Sequence, residues 1–448
     1  MRPATLARLA PLALAAALIG CSETSRLQNG ADVGPDPTLV EPVRTMLPTV
    51  KVAKAVGWPE GERPVAAPGL EVQAFATGLD HPRWLQVLPN GDVLVAETNA
   101  PERPEKARGG LKNWFMKLTM KKAGAGVPSA DRVTLLRDAD GDGRAETRVP
   151  FLENLHSPFG MALVGDRFFV ANTDAVMEYP YRGGETRITG AGRRLAELPA
   201  GPRNHHWTKS LIASLDGRTL YATVGSNSNV AENGLDEERG RAAIWAIDVA
   251  DGAMRLYASG LRNPNGMAWE PATGLLWVVV NERDELGSDL VPDYLTSVRE
   301  GGFYGWPFRW WGDRVETRVP APPTLPETVR PDYALGAHVA ALGLAAARGS
   351  TVTTPLGGAT DGMFVGEHGS WNRRPPSGYK VVFVPFVGGR PSGKPVDVLT
   401  GFLDPEGQAR GRPVGVAVDR RGALLVADDV GNTVWRVVPA ARAQPPQR

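Results

Sequence analysis

The chain has 448 residues, with 50 Lys and Arg set against 49 Asp and Glu, a formal net charge of +1. That balance excludes a whole-protein field for nucleic acid or anionic lipid, and a single cysteine excludes a disulfide framework. The 52 Gly and 39 Pro are spread through the chain and read as many turns between short strands.

The first twenty residues are an export signal rather than part of a fold. Arg2 and Arg8 form a basic start, and Leu9 to Ile19 is an apolar run too short to span a bilayer. The run ends at Leu18-Ile19-Gly20-Cys21, which resembles a bacterial lipoprotein signal, with Cys21 as the lipidated first residue after cleavage. The expected address is the cell envelope, anchored by lipid and facing the periplasm. Ser22 in place of Asp favours the outer membrane in a Gram-negative host. Residues 21–68 are rich in Pro, Gly and polar groups and lack apolar periodicity. They read as a tether ending in a strand that docks on the main domain.

From residue 69 to 440 one unit recurs: a Pro or Gly, an apolar run, a turn, a second apolar run, then polar residues. It opens at His81 (HPRWLQVLPNGDVLVAET), Ser157 (SPFGMALVGDRFFVANTD) and His206 (HWTKSLIASLDGRTLYATVG). It returns at Asn263 (NPNGMAWEPATGLLWVVVNERD), in degraded form at Ala341, and at Arg412 (RPVGVAVDRRGALLVADD). Six β-rich copies read as an all-β, six-bladed β-propeller with long loop insertions. In that geometry the start of each copy's first strand and the end of its second approach one end of the central channel. His206, Arg262, Asn263, His368 and Arg412 then converge.

Three segments break the pattern. Residues 99–131 are a basic insertion with Lys112, Lys117, Lys121 and Lys122 around Trp114, Phe115 and Leu118, read as a short amphipathic lid or a membrane-surface contact. Residues 309–336 read as a long loop over one face, and 441–448 as a disordered tail. Asp138, Asp140 and Asp142, with Glu146, match the first half of a calcium loop. Val149 stands where an EF-hand has Glu, so a plain Asp-Gly turn is the competing reading. No glycine-rich phosphate loop, nucleophile elbow or two-histidine zinc helix is present.

Five stretches carry a family resemblance: HPRWLQVLPNGDVLVAET, GLRNPNGMAWEP, NERDELG with the later GGFYGWPF, GEHGSWNRRPPSGYKVV, and GRPVGVAVDRRGALLVADD. In this order, over roughly residues 69–438, they resemble the soluble PQQ-dependent glucose/sorbosone dehydrogenases, and most closely the sorbosone-dehydrogenase-like branch. The resemblance implies a six-bladed propeller, the cofactors PQQ and Ca²⁺, and a sugar substrate oxidised by hydride transfer. The sugar is an aldose at its C1 hydroxyl or a sorbosone-like hydrated aldehyde. A quinone or small redox protein then takes the electrons.

The resemblance also assigns residues. His206 aligns with the base that removes the hydroxyl proton, a task needing a near-neutral pKa within reach of substrate. His205 replaces an acidic neighbour found in some members. Arg262 and Asn263 match a cofactor-contacting pair; a guanidinium suits both carboxylates and the charge that develops on a reduced quinone. Arg412 matches a cofactor arginine, and Arg373 is taken as a further cation for a cofactor carboxylate, with His368, Trp371, Asn372 and Lys380 around it. His338 and His368 join the cofactor contacts, and Tyr304, Trp306 and His338 can line the sugar pocket. Asn281, Glu282 and Asp284 fall in the calcium stretch, although Glu282-Arg283 replaces the carbonyl-donating Gly-Pro of some members. The competing readings are a calcium-dependent sugar lactonase, using acids such as Glu97 and Asp174 with Asn172, and a non-catalytic propeller binding a glycan or protein.

Overall fold

The computed structural model describes residues 23–45, 49–102, 122–124 and 126–441. Six blades surround a channel, each built on four antiparallel strands. Blade I is Pro82–Val87, Val93–Glu97, Arg132–Arg137 and Thr147–Leu152. Blades II and III open with Met161–Val164 and Leu211–Ala213. Blades IV and V open with Asn263–Trp269 and Ala341–Ala346. Blade VI joins Pro413–Val418, Leu424–Asp428 and Thr433–Pro439 to the early strand Leu70–Ala76, so the two ends of the propeller chain close the ring in one sheet.

The packing explains why the second strand of each unit reads as a solid apolar run. Val93–Glu97, Gly362–Glu367 and Leu424–Asp428 are buried along their whole length. Each lies between two neighbouring blades and has no solvent face, so alternation is absent. Outer strands such as Arg193–Glu197 are half exposed and carry the charge. Six apolar clusters fill the six gaps between blades. Phe168 and Trp84 share one of them, Trp277 and Phe386 another, and Phe364 and Trp435 a third.

The glycine of the repeated opening has a steric cause. A Cβ on Gly266 would lie 2.6 Å from the Leu342 carbonyl oxygen, one on Gly343 2.2 Å from that of Val414, and one on Gly415 2.7 Å from that of Arg83. Innermost strands therefore touch backbone to backbone around the channel. The first strand is also bulged where it opens, between Pro82 and Trp84, Pro264 and Met267, and Pro413 and Val416. Such bulges re-aim the residues just before them toward the channel mouth.

The segment read as a tether is docked along its described length. Ser25 Oγ donates to Asp289, Lys51 N to the Trp371 carbonyl, and Trp58 Nε1 to Asp428 at 2.7 Å. Val65–Ala66 adds a strand to blade V by pairing with Leu399 and Thr400. The segment read as a loop over 309–336 instead holds a small ribbon, Arg309–Trp310 with Arg314–Val315, and the start of the fourth strand of blade IV, Tyr333–Ala337. Cys21, the signal, the tail from 442 and most of the basic insertion lie outside the described residues. Among the described residues no helix is long and apolar enough to cross a membrane.

Candidate active site at the channel mouth

The loops that precede first strands and follow second strands bring two charged groups to one end of the channel. The first is centred on Asp284, in the loop after the second strand of blade IV. Arg262, placed just before the bulged strand of the same blade, donates to Asp284 Oδ2 at 2.9 Å. Its remaining N–H groups go to Asn229 Oδ1 (3.0 Å), the Asn229 carbonyl (3.2 Å) and the Glu282 carbonyl (2.7 Å). Asn372 Nδ2 donates to Asp284 Oδ1 at 2.8 Å, and His338 Nδ1 stands 3.5 Å from the same oxygen. Arg262, His338 and Asn372 hold the Asp284 carboxyl well below the usual carboxylate range against the cost of burial. Asp284 in turn raises His338, whose Nε2 donates to the Gly287 carbonyl.

The second group is centred on Asp429, after the second strand of blade VI. His368 Nε2 lies 2.9 Å and Arg83 Nη1 2.7 Å from Asp429 Oδ2, with His81 Nε2 at 3.6 Å. Burial pushes the His81 imidazole down to about 4 and lowers His368 as well, so one carboxylate faces Arg83 and two neutral imidazoles. Among the described residues, Arg412 completes the cluster without a carboxylate ion-paired to its guanidinium. Its guanidinium sits 4.8 Å from the centre of the Tyr379 ring and makes 3.5 Å contacts to the carbonyls of Gly369 and Ala53. Its Nε is buried and unpartnered, as are Arg83 Nε, His81 Nε2 and Asp429 Oδ1.

His206 and Asn263 meet nearby. A Cβ on Gly225 would fall 2.3 Å from Asn263 Oδ1 and 2.6 Å from His206 Cβ, so the bare glycine lets the two approach. His206 Nδ1 lies 2.7 Å from the Ser226 carbonyl, an acceptor, and therefore carries the proton. Nε2 is then the bare, basic nitrogen. Burial, aided by His205 and Arg262, lowers this imidazole well below the usual histidine value and keeps it neutral. Asn263 Oδ1 is buried and unpartnered.

The structure thus gathers His206, Arg262, Asn263, His338, His368 and Arg412 at one channel mouth. Arg373 is used differently: it donates to the Ser288 carbonyl and to Ser25 Oγ, pinning the N-terminal segment. Lys380 pairs with Asp397 within blade V. Tyr304 is core, with its hydroxyl on the Ser297 carbonyl, whereas Trp306 Nε1 donates to the Asn229 carbonyl beside Arg262. The oxygens of Asn281, Glu282 and Asp284 do not come together as a ligand set. Asn281 bonds Asn263 and the Ala341 carbonyl, Asp284 is ion-paired, and Glu282 keeps one free oxygen, Oε2, on a carboxyl that burial pushes up to about 7. Glu97 is paired with Arg132 at 2.9 Å and Asp174 contacts His156. Among the described residues, the acidic oxygens that do gather within 4.8 Å are those of Asp138, Asp140, Asp142 and Glu146. They sit in the turn between the third and fourth strands of blade I, at the opposite end of the channel, where Arg421 donates to the Gly141 carbonyl.

Sequence reasoning missed His81, Arg83, Asn229 and Asp429. Three of them carried a signal. His81 precedes the opening Pro of blade I as Arg412 precedes that of blade VI, and Arg83 follows it. Asp429 follows the second strand as His368 and Glu282 do.

The TrAA12-like family pattern matches residues 129–293 and 325–440, more than half of the chain. The chain belongs to the TrAA12-like family. Its fold is shared with the AA12 carbohydrate-active enzyme of Trichoderma reesei, at a TM-score of 0.66 and 20% identity over 87% of this chain and 99% of that one. It is shared equally with the holo PQQ domain of pyranose dehydrogenase from Coprinopsis cinerea, at 0.64 and 21% over 87% and 100%. The PQQ-dependent sugar dehydrogenase of Hypocrea jecorina is 23% identical over 54% of this chain, spanning 56% of its own length. The resemblance read from the five motifs is therefore shown, as is the six-bladed fold.

Proposed function

We propose that this protein is a PQQ-dependent sugar dehydrogenase that oxidises an aldose at its C1 hydroxyl or a sorbosone-like hydrated aldehyde, with His206 as the general base. The observation that carries the reading is the pairing of a neutral histidine of fixed tautomer with an uncompensated buried guanidinium at one channel mouth. The residues fit the cofactor. PQQ is a tricarboxylate, and Arg412 is a buried cation with an unpartnered Nε, no carboxylate ion pair among the described residues and an aromatic face beneath it. Arg83 offers a second unpartnered N–H in the same cluster. An isolated buried cation is costly, and a carboxylate ligand offsets that cost.

When bound, PQQ supplies the two-electron acceptor for the substrate hydride. The chain's own part is proton chemistry and orientation. As the sugar C–H bond breaks, the hydroxyl proton passes to His206 Nε2, while Nδ1–H stays on the Ser226 carbonyl. The nearby Asp284 charge favours the imidazolium that forms. Asn263 Oδ1, free beside the base, is placed to accept a hydrogen bond from substrate or cofactor. Arg262 organises the loop rather than offering a free fork, since Asn229, Glu282 and Asp284 already take its donors.

Calcium belongs to the same proposal through the resemblance, but the side chains of Asn281, Glu282 and Asp284 do not form a site for it, and no step depends on it. The lipid anchor on Cys21, the envelope address and a quinone or small redox-protein acceptor complete the reading, and rest on the sequence. The test is a sugar screen with an artificial electron acceptor on PQQ-loaded protein. Turnover of one aldose, lost about 1,000-fold in His206→Ala, is expected. Undiminished turnover in that variant would remove His206 as the base.

A further inference from the structure

We infer that Lys209 is a positioning residue for His206, its buried Nζ donor tying down the backbone turn that carries the base. The inference rests on the reading of His206 as the base. Lys209 lies three residues after it, where the turn enters the first strand of blade III, and is completely buried. Its Nζ donates to the Trp207 carbonyl at 3.1 Å and to the His206 carbonyl at 3.4 Å. Among the described residues no carboxylate lies within ion-pair distance of it. The charges it feels are those of Arg241, which opposes it, and Asp174, which favours it. Burial and Arg241 together drive its pKa well below the usual lysine range.

A fully buried lysine Nζ that meets only carbonyls is costly in either protonation state, and a well-packed apolar replacement would recover much of that cost. Stability therefore does not account for a lysine here. What it does hold is a turn that lies outside the strands, anchored to them at Lys209 and Ser210 through Gly160 and Thr223. Residues 204–210 run between the last strand of blade II and the first of blade III, and Asn204 adopts a left-handed φ of 34°. Thr173 Oγ1 also donates to the Trp207 carbonyl, and Asn227 Oδ1 accepts from His205 N. Lys209 supplies the donor for the His206 carbonyl itself. With the ring tied through Nδ1 to Ser226 and the backbone tied through Lys209, the direction of Nε2 is set from both sides. A misplacement of about 1 Å at such an atom costs on the order of 100-fold in rate.

The test replaces Lys209 with Met, of similar length but without donors. Lys209→Met is expected to melt no lower than wild type and to bind PQQ equally well. Its kcat should fall about 30-fold or more at an unchanged sugar KM. Nitrogen-15 spectra of the histidine-labelled apo-protein, which has six imidazoles, supply the second readout. Wild-type His206 should show one Nδ1–H tautomer, and Lys209→Met an averaged signal. An unchanged kcat per folded molecule with an unchanged His206 signal overturns the inference. Should Lys209→Met fail to fold, Lys209→Gln keeps one donor and is expected to give an intermediate kcat and signal; wild-type values for both would equally overturn it. If no sugar is oxidised at all, the proposed function fails, while the ring-nitrogen spectra still decide the role of Lys209.

Discussion

Arg262 and Arg412 open blades IV and VI at equivalent places, yet their surroundings are opposite. Arg262 has a carboxylate at 2.9 Å and carbonyl partners for its other donors. Arg412 has two long contacts, a ring and an unpartnered Nε. The sequence motif around Arg262 is the more eye-catching, but the structure makes Arg412 the cation with capacity left for a ligand. The lesson is that an arginine's role at such a mouth follows from what the loops of neighbouring blades bring to it.

The sharpest break of this comparison is a pair of substitutions. Arg262→Ala leaves Asp284 mostly buried without its cation, so chemical denaturation should show a loss of about 3 kcal/mol. Arg412→Ala removes a cation that no carboxylate needs, so the same denaturation should show little change. Its effect should appear in calorimetric titration, as PQQ affinity weakened about 100-fold. If the two variants exchange these effects, the assignment of roles is reversed.

A smaller effect distinguishes the two carboxylates ion-paired to arginine, Asp284 and Asp429, from two that have no ion pair among the described residues. Asp284 is held low by Arg262 and His338, and Asp429 by its contacts with His368, His81 and Arg83, so the stability they contribute is present above the ordinary carboxylate value and lost as pH falls. Burial pushes Glu282 up to about 7 and Glu367 up to about 8. Their folded forms bind protons more tightly than the unfolded chain, so their contribution is complete below the ordinary value and fades as pH rises toward 8. Thermal melts should therefore decline on both sides of mildly acidic pH. Glu367→Gln should flatten the alkaline side, raising the Tm at pH 8 by about 2 °C. A variant with the same slope as wild type would show that Glu367 does not carry it. The smallest effect is expected at the far end of the channel: Asp140→Ala should leave PQQ affinity unchanged within twofold, because its loop shares no contact with either cluster. A weakened affinity would tie that end to the mouth.

Much of this architecture could be read from the chain. The recurring Pro or Gly, two apolar runs and a turn correspond to the first two strands of each blade. The glycines mark where inner strands touch, a steric demand that leaves a direct trace. The convergence of His206, Arg262, Asn263, His368 and Arg412 followed from the same register. What the sequence hid was partner choice. Arg373 looked like a cofactor cation because nothing in residues 23–45 announces that they dock: the segment is held by scattered contacts, such as the Ser25 bond to Asp289 and the packing of Val33 and Leu39, with no apolar period to reveal them. Asp429 and Arg83 went unnoticed for a related reason, since an ion pair between blades I and VI joins residues 346 positions apart. The stretch at Asn281 to Asp284 read as a metal site through the family resemblance, whereas in the fold the Asn281 side chain meets Asn263 and that of Asp284 meets Arg262 and Asn372.

The central claim is that this channel mouth holds PQQ through Arg412 with His206 beside it. The most direct measurement is calorimetric titration of the full-length apo-protein with PQQ, with and without calcium, in wild type and Arg412→Ala. The account predicts saturable one-site binding to wild type, weakened about 100-fold in the variant. No binding at micromolar PQQ, or equal binding by both proteins, would contradict it.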